Sequence, residues 1–176
     1  EAHVEHGSDG HDHIVGSSTE AALLSLASDY GLDVDALRAQ HPSLRMAYRD
    51  GSHPRMASFH AISGGTGGLL AVKGSPDHVL AHCAHVFTHD GPIALTDAMR
   101  AAILDENAGM TARGLRVLGF AMRRLERGPD GEAETGLIWL GLAGLSDPVR
   151  RTAPELLKNF HRAGIRTVMI TGDQAG

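Results

Sequence analysis

Four short runs in this chain combine residue types that can do chemistry. Lys73-Gly74-Ser75-Pro76-Asp77 sets a cation at the end of an apolar stretch, with a helix start directly behind it: Ser at the cap, Pro at the first helical position, an acid in the first turn. A cation beside a helix N-terminus suits an anionic or aromatic ligand, and Gly74 leaves room for another group to approach. Thr171-Gly172-Asp173 ends the continuous apolar run Ile165–Ile170, and open parallel sheets bind ligands at the carboxyl ends of such strands. A hydroxyl, a close-approach glycine and a carboxylate are what a phosphate-and-magnesium site needs. His3, His6, His11 and His13 stand with Asp9 and Asp12 near the start, as ligands that zinc or nickel accepts. Their spacing matches no closed structural site, and ordering a Gly-containing segment costs entropy, so no specific metal site is expected from them. Gly64-Gly65-Thr66-Gly67-Gly68 lacks the Gly-Lys-Ser/Thr ending of a phosphate loop and reads as a hairpin tip.

The elements that position these residues follow from pattern. Residues 1–16 are polar and without a period, which predicts a flexible His-containing loop. Ser17-x-x-Glu20 has capping-box spacing, with Leu23, Leu26, Ala27 and Tyr30 on one helical face and Gly31 as a stop. A short helix covers Val34 to Gln40 and ends at His41-Pro42. Arg55–Ala61 alternates with a period of two and leads through the glycine tip into Leu69–Val72, a hairpin. Thr96 caps a helix toward Met110 with Met99, Ile103 and Met110 inward, and Leu115–Met122 and Gly136–Leu145 read as strands. Thr152-x-x-Glu155 caps a last helix carrying Leu156, Leu157 and Phe160, and Gly164 separates it from the buried strand Ile165–Ile170.

Composition limits the function classes. The 176 residues hold 16 Lys and Arg against 21 Asp and Glu, a net charge of −5. That balance argues against phosphate-backbone binding, so no nucleic-acid partner is expected. The apolar run at Leu137–Leu145 is far short of a membrane-spanning helix, and no direct membrane contact is expected. Cys83 is the single cysteine, which excludes an internal disulfide and fits a reducing compartment. Helix, Gly, apolar strand and polar loop at the C-terminal end form one α/β unit, which cannot make a sheet alone. The pattern is therefore an α+β domain followed by the start of a second one.

Taken in order, Gly16-x-x-Thr19-Glu20 with Ala21-x-Leu23, HPRMASFH (53–60), AVKGSPD (71–77), GLRVLGFA (114–121), GLAGLSDPVR (141–150) and TVMITGD (167–173) resemble the cation-transporting P-type ATPases, in the bacterial branch related to calcium and magnesium pumps. The resemblance implies a nucleotide-binding domain over residues 1–146, a twisted antiparallel sheet flanked by helices. Residues 147–176 are then a hinge and the start of a haloacid-dehalogenase-like phosphorylation domain. It implies ATP and Mg2+ as cofactors. The rest of the parent chain (phosphorylation, actuator and membrane domains) becomes the partner, and the location is the cytoplasmic side of a bacterial membrane pump. Neither the D-K-T-G-T nucleophile motif nor G-D-G-x-N-D-x-P occurs here, so the parent is expected to be an ion-translocating hydrolase and the fragment alone inactive.

Carried over by position, Glu20 accepts from the adenine amino group and Lys73, with Gly74, forms the floor of the adenine pocket. Tyr48 stacks on the base and Arg116 reaches the phosphates. Thr171, Gly172 and Asp173 contact the aspartyl phosphate and its magnesium, while Asp147, Pro148 and Arg150 form the hinge. Relatives carry Phe-Asp-Ser-x-x-Lys-Arg-Met where this chain has Tyr48 to Met56, with Pro54 at the Lys position. The lost cation predicts weak nucleotide binding, about millimolar, or roughly 4 kcal/mol. Two other readings are a non-catalytic His-rich metal-binding or regulatory module, and a cap-bearing haloacid-dehalogenase-type phosphatase.

Overall fold

The computed structural model describes residues 3–6, 12–48, 54–62, 67–126, 135–146 and 152–168. The first of these form a hairpin where the sequence predicts a loop: β1 (His3–His6) pairs antiparallel with β2 (Asp12–Val15), Val4 opposite Ile14. Strands of four residues interspersed with histidines are too short to show a period of two. Helix α1 (Ser18–Asp29) follows, with Ser17 Oγ accepting from the Glu20 amide at 3.3 Å as the cap. Its half-buried face is Glu20, Leu23, Leu24 and Ala27, whereas Leu26 and Tyr30 are exposed, a rotation of about one position from the predicted stripe. Helix α2 (Val34–Gln40) has the expected bounds, and the Asp33 carboxylate accepts from the Ala36 amide at 2.9 Å.

The main sheet begins with β3 (Ser43–Ala47), β4 (Arg55–Ala61) and β5 (Gly68–Gly74). Helix α3 (Pro76–Ala81), β6 (Cys83–Thr88), β7 (Gly91–Ala94) and helix α4 (Asp97–Ala112) come next, then the long strands β8 (Arg116–Leu125) and β9 (Leu137–Leu145). The strand order is β3-β4-β5-β8-β9-β6-β7. All neighbours are antiparallel except β6 and β9, which run parallel, so the sheet is mixed rather than purely antiparallel. The parallel pair arises because the chain leaves β6, crosses through α4 and β8, and returns beside it. β3, β6 and β7 carry no clean alternation, and their strand state is set by neighbours already in place.

One face of this sheet is the core. Ala57 and Phe59 from β4, Leu70 and Val72 from β5, Ala121 and Leu125 from β8, and Leu137 and Trp139 from β9 are buried together with Val79 and Leu80 of α3. Helices α3 and α4 pack against β8. Trp139 lies over Gly119 so closely that a Cβ there would stand 2.6 Å from its Cη2 and 3.0 Å from Pro76 Cα. The Arg100 guanidinium of α4 donates to the carbonyls of Leu80, at 2.8 Å, and Cys83, at 2.5 Å, which ties down the C-terminal end of α3. Met99, Ile103 and Met110 form the half-buried stripe of α4, as their spacing predicts.

Helix α5 (Ala153–Arg162) ends as predicted at Gly164, but Thr152 makes no side-chain cap bond, and Leu156, Leu157 and Phe160 are exposed. Residues 165–168 form no strand, and the remainder of the predicted Ile165–Ile170 strand lies outside the described residues. A strand needs a neighbour for its amides and carbonyls, and among the described residues 165–168 has none.

Candidate functional site

The alternation of β5 separates its side chains by role. Leu70 and Val72 enter the core, so Lys73 falls on the opposite face, beside Met56 of β4 and Phe120 of β8 in the cross-strand register. There the Lys73 ammonium donates to Glu20 Oε1 of α1. The two side chains keep 23% and 28% of their surface exposed, so the pair sits at the wall of an opening and not in the core. In a capping box the Glu20 carboxylate turns back to the helix end; here Ser17 supplies its half of that motif, and the carboxylate is engaged by Lys73 instead.

Around this pair is a cleft of about 610 Å³, lined by Ser17, Ser18, Thr19, Glu20, Pro54, Met56, Lys73, Gly74, Ser75, Arg116, Val117 and Leu118. Four of the five positions expected to hold ATP (Glu20, Lys73, Gly74 and Arg116) therefore meet in one place. Arg116 arrives there because the chain turns after α4 at Gly114, whose φ of +75° lets the amides of Gly114 and Leu115 bond back to Thr111 and Met110 before β8 begins. Tyr48 does not line the cleft. It follows edge strand β3 with 66% of its surface exposed, its hydroxyl 3.6 Å from Met46 Sδ. Apolar lining comes instead from Met56, Val117 and Leu118.

Gly74 is used differently from the sequence expectation. A Cβ there would meet Arg55 Cα and the Pro54 carbonyl oxygen, both at 2.6 Å, so the close approach is by the chain's own backbone. The Pro54 carbonyl also accepts the Ser75 amide at 3.1 Å, which fastens the turn between β5 and α3 to β4. Ser75 holds the cap position of α3 without a side-chain cap bond, and lines the cleft. The sequence marked Ser75 only as a cap and Pro54 only as a lost cation; their adjacency to Lys73 and Met56 was the available signal.

The lining has the size and mixture of a small-molecule site: a concave volume in the usual range, apolar walls and a few convergent polar groups. Among the described residues its cations are Lys73 and Arg116, and its carboxylate, Glu20, is paired with Lys73. This donor set suits an anionic ligand with an apolar part, and among the described lining residues Glu20 is the single carboxylate that a divalent cation could use. Cys83 is remote from this chemistry. It is buried, its thiol donates to the Val79 carbonyl at 3.2 Å, and burial pushes its pKa up to about 11 against the opposing pull of Arg100. Asp147, Pro148, Arg150, Thr171, Gly172 and Asp173 lie outside the described residues.

Comparison with known proteins decides the family. The family described as P-type ATPase, cytoplasmic domain N, matches residues 1–152. The chain belongs to this family. Among curated relatives, this chain shares 37% identity over 164 residues with the cation-transporting ATPase pma1 of Synechocystis, covering 91% of this chain and 18% of that protein. It is 32% identical over 160 residues to the calcium-transporting ATPase 1 of Bacillus cereus, covering 90% of this chain and 18% of the relative. With the probable cation-transporting ATPase F of Mycobacterium tuberculosis the identity is 34% over 167 residues, covering 93% and 18%. The chain thus spans about a fifth of the length of these relatives, and a seven-stranded sheet flanked by helices is its architecture. No helix among the described residues is long and apolar enough to cross a membrane.

Proposed function

We propose that this chain is the ATP-binding arm of a cation-transporting pump, and that nucleotide enters the cleft between α1 and strands β4, β5 and β8. The observation that carries this reading is the convergence of Glu20, Lys73 and Arg116, from three separate segments, on one opening of about 610 Å³. The adenine base lies against Met56, Val117 and Leu118, with its exocyclic amine donating to the Glu20 carboxylate. Lys73 then holds the ring edge or the ribose end, and Arg116, at the rim, takes the phosphates through its fork of N–H donors. Tyr48 has no part in this arrangement, so the stack on the base is supplied by Met and aliphatic side chains, which supports the expectation of weak binding.

The chemistry that follows is positioning. Residues 1–146 deliver the γ-phosphate, with its magnesium, in line with an aspartate elsewhere in the parent chain. Asp147, Pro148 and Arg150 serve as the hinge of that delivery, and Thr171, Gly172 and Asp173 stabilise the transferred charge on the phosphorylation domain. Phosphorylation and hydrolysis of the aspartate drive the membrane part between its two access states, and the isolated fragment turns over no ATP.

Titration of the ¹⁵N-labelled chain with ATP, ADP and AMP, with and without magnesium, tests this. The expected outcome is amide shifts at Glu20, Lys73, Ser75 and Arg116 to Leu118, with the last group responding to ATP more than to AMP. Absence of shifts at millimolar ATP in a well-dispersed spectrum would refute the nucleotide assignment while leaving the family intact.

A further inference from the structure

A second cavity is unused by the nucleotide reading. It holds about 460 Å³ between α4 and β9 and shares no lining residue with the cleft. From α4 come Ile103, Glu106 and Met110, which follow at helical spacing and so share one face. From β9 come Trp139, Gly141 and Leu142. Two features of β9 leave the space open. Phe120 of β8 pairs with Gly141 but Ala121 with Trp139, so Leu140 is bulged out of the ladder. A Cβ at Gly141, whose φ is +150°, would meet nothing within 4 Å beyond its chain neighbours.

The face that α4 turns to this cavity is not uniformly apolar. Ile103 and Met110 are half-buried, as a core stripe requires, yet Glu106 falls between them. Its carboxylate is 3.8 Å from the Arg113 guanidinium, and the two side chains are 68% and 65% exposed, so the pair is screened and weak. Arg113 does not line the cavity; among the described lining residues Glu106 is the single charged side chain. This lining is therefore negative, whereas in the cleft Lys73 and Arg116 outnumber Glu20.

We propose that this cavity binds a small organic cation, an amine with an aromatic or aliphatic body. A space of this size with apolar walls and a lone polar group has the make-up of a small-molecule site. The body replaces water against Ile103, Met110, Leu142 and the Trp139 indole, and the ammonium lies at the rim with Glu106. A bare divalent cation is disfavoured, because a single carboxylate supplies too few oxygens. An anion is repelled by Glu106.

Trp139 is the single tryptophan of the chain, so its fluorescence reports on this cavity. The experiment titrates the whole chain with 2-phenylethylamine, 2-phenylethanol and phenylacetate, which share an aromatic body and differ in charge. The proposal expects a saturable change with the amine at about millimolar concentration, the affinity usual for a ligand this small. The alcohol should bind about three- to fivefold more weakly, and phenylacetate more weakly still. Raising salt should weaken the amine and not the alcohol. In the ¹⁵N spectrum the shifts should map to residues 102–110 and 139–142 and spare Glu20 and Lys73. Glu106→Gln, at an exposed position, should reduce the amine to the affinity of the alcohol. No saturable change overturns the proposal. So do equal affinities for amine and alcohol in the unmutated chain, an unchanged amine affinity in Glu106→Gln, or shifts confined to the nucleotide cleft.

Discussion

In the cleft, Lys73 and its partner Glu20 are 53 residues apart, and Arg116 comes from a third segment beyond both. In the hairpin, His3, Glu5 and His13 fall within one short antiparallel pair. The cleft residues are held by a sheet whose other face is a packed core. Lys73 is where it is because Val72 is buried beside it, and Arg116 because α4 packs on β8 and turns at Gly114. Among the described residues the hairpin strands pair only with each other. The cleft inherits the stability of the domain, whereas the short hairpin has only its own few hydrogen bonds.

Five measurements break or sharpen this contrast, from the largest effect down. Phe59 is 1% exposed on β4, beneath the cleft strands, so Phe59→Ala should cost about 3–5 kcal/mol in urea unfolding. A cost under about 1 kcal/mol would mean that the core does not carry the cleft. Gly74→Ala places a methyl against backbone atoms that cannot yield, and should cost about 1–3 kcal/mol. Because the clash lies at the β5–α3 turn, ATP affinity should fall with it.

Lys73→Met separates binding from folding. Calorimetry should show ATP affinity reduced about ten- to a hundredfold, about 1.4–2.8 kcal/mol. Thermal unfolding should change by less than about 1 kcal/mol, because the Glu20 pair is partly exposed and screened. Ser17→Ala removes the α1 cap at the junction of hairpin and cleft. About 1 kcal/mol of local protection should be lost from the amides of Ser18 to Ala21 by hydrogen exchange, with little global change.

Cys83 gives the smallest effect at neutral pH. Its folded pKa of about 11 stands above the ordinary 9.0, so the unfolded chain releases the thiol proton first as pH rises. Stability is therefore intact below about pH 9 and declines toward about pH 11, and Cys83→Ser should flatten that decline in urea melts at stepped pH. At pH 8 the native thiol should resist iodoacetamide; rapid alkylation there would contradict its burial.

Much of the fold was readable from local chemistry. The α2 bounds, the Thr96 cap with its stripe Met99, Ile103 and Met110, the β4–β5 hairpin and the two long strands follow from caps, turn residues and periods. The β1–β2 hairpin, β3, β6 and β7 were not readable, because each is short and owes its strand state to a partner elsewhere in the chain. At the cleft, motif order pointed to Glu20, Lys73 and Arg116. It could not show that Tyr48 sits outside on an edge, nor that Met56, Val117 and Leu118 form the apolar wall.

By itself, then, the sequence determined the elements whose signals lie within one or two turns of chain, the family, and which cations and carboxylates are present to do chemistry. Only the tertiary structure decided which of them meet. Strand order put Arg116 on the same cleft as Lys73, and the alternation of β5 turned Lys73 away from the core. Register, not spacing, set Glu5 opposite His13 in the first hairpin. The physical reason is the same in each case: side-chain direction in a sheet has period two, so a one-residue change in pairing, invisible to composition and motif, moves every group to the other side.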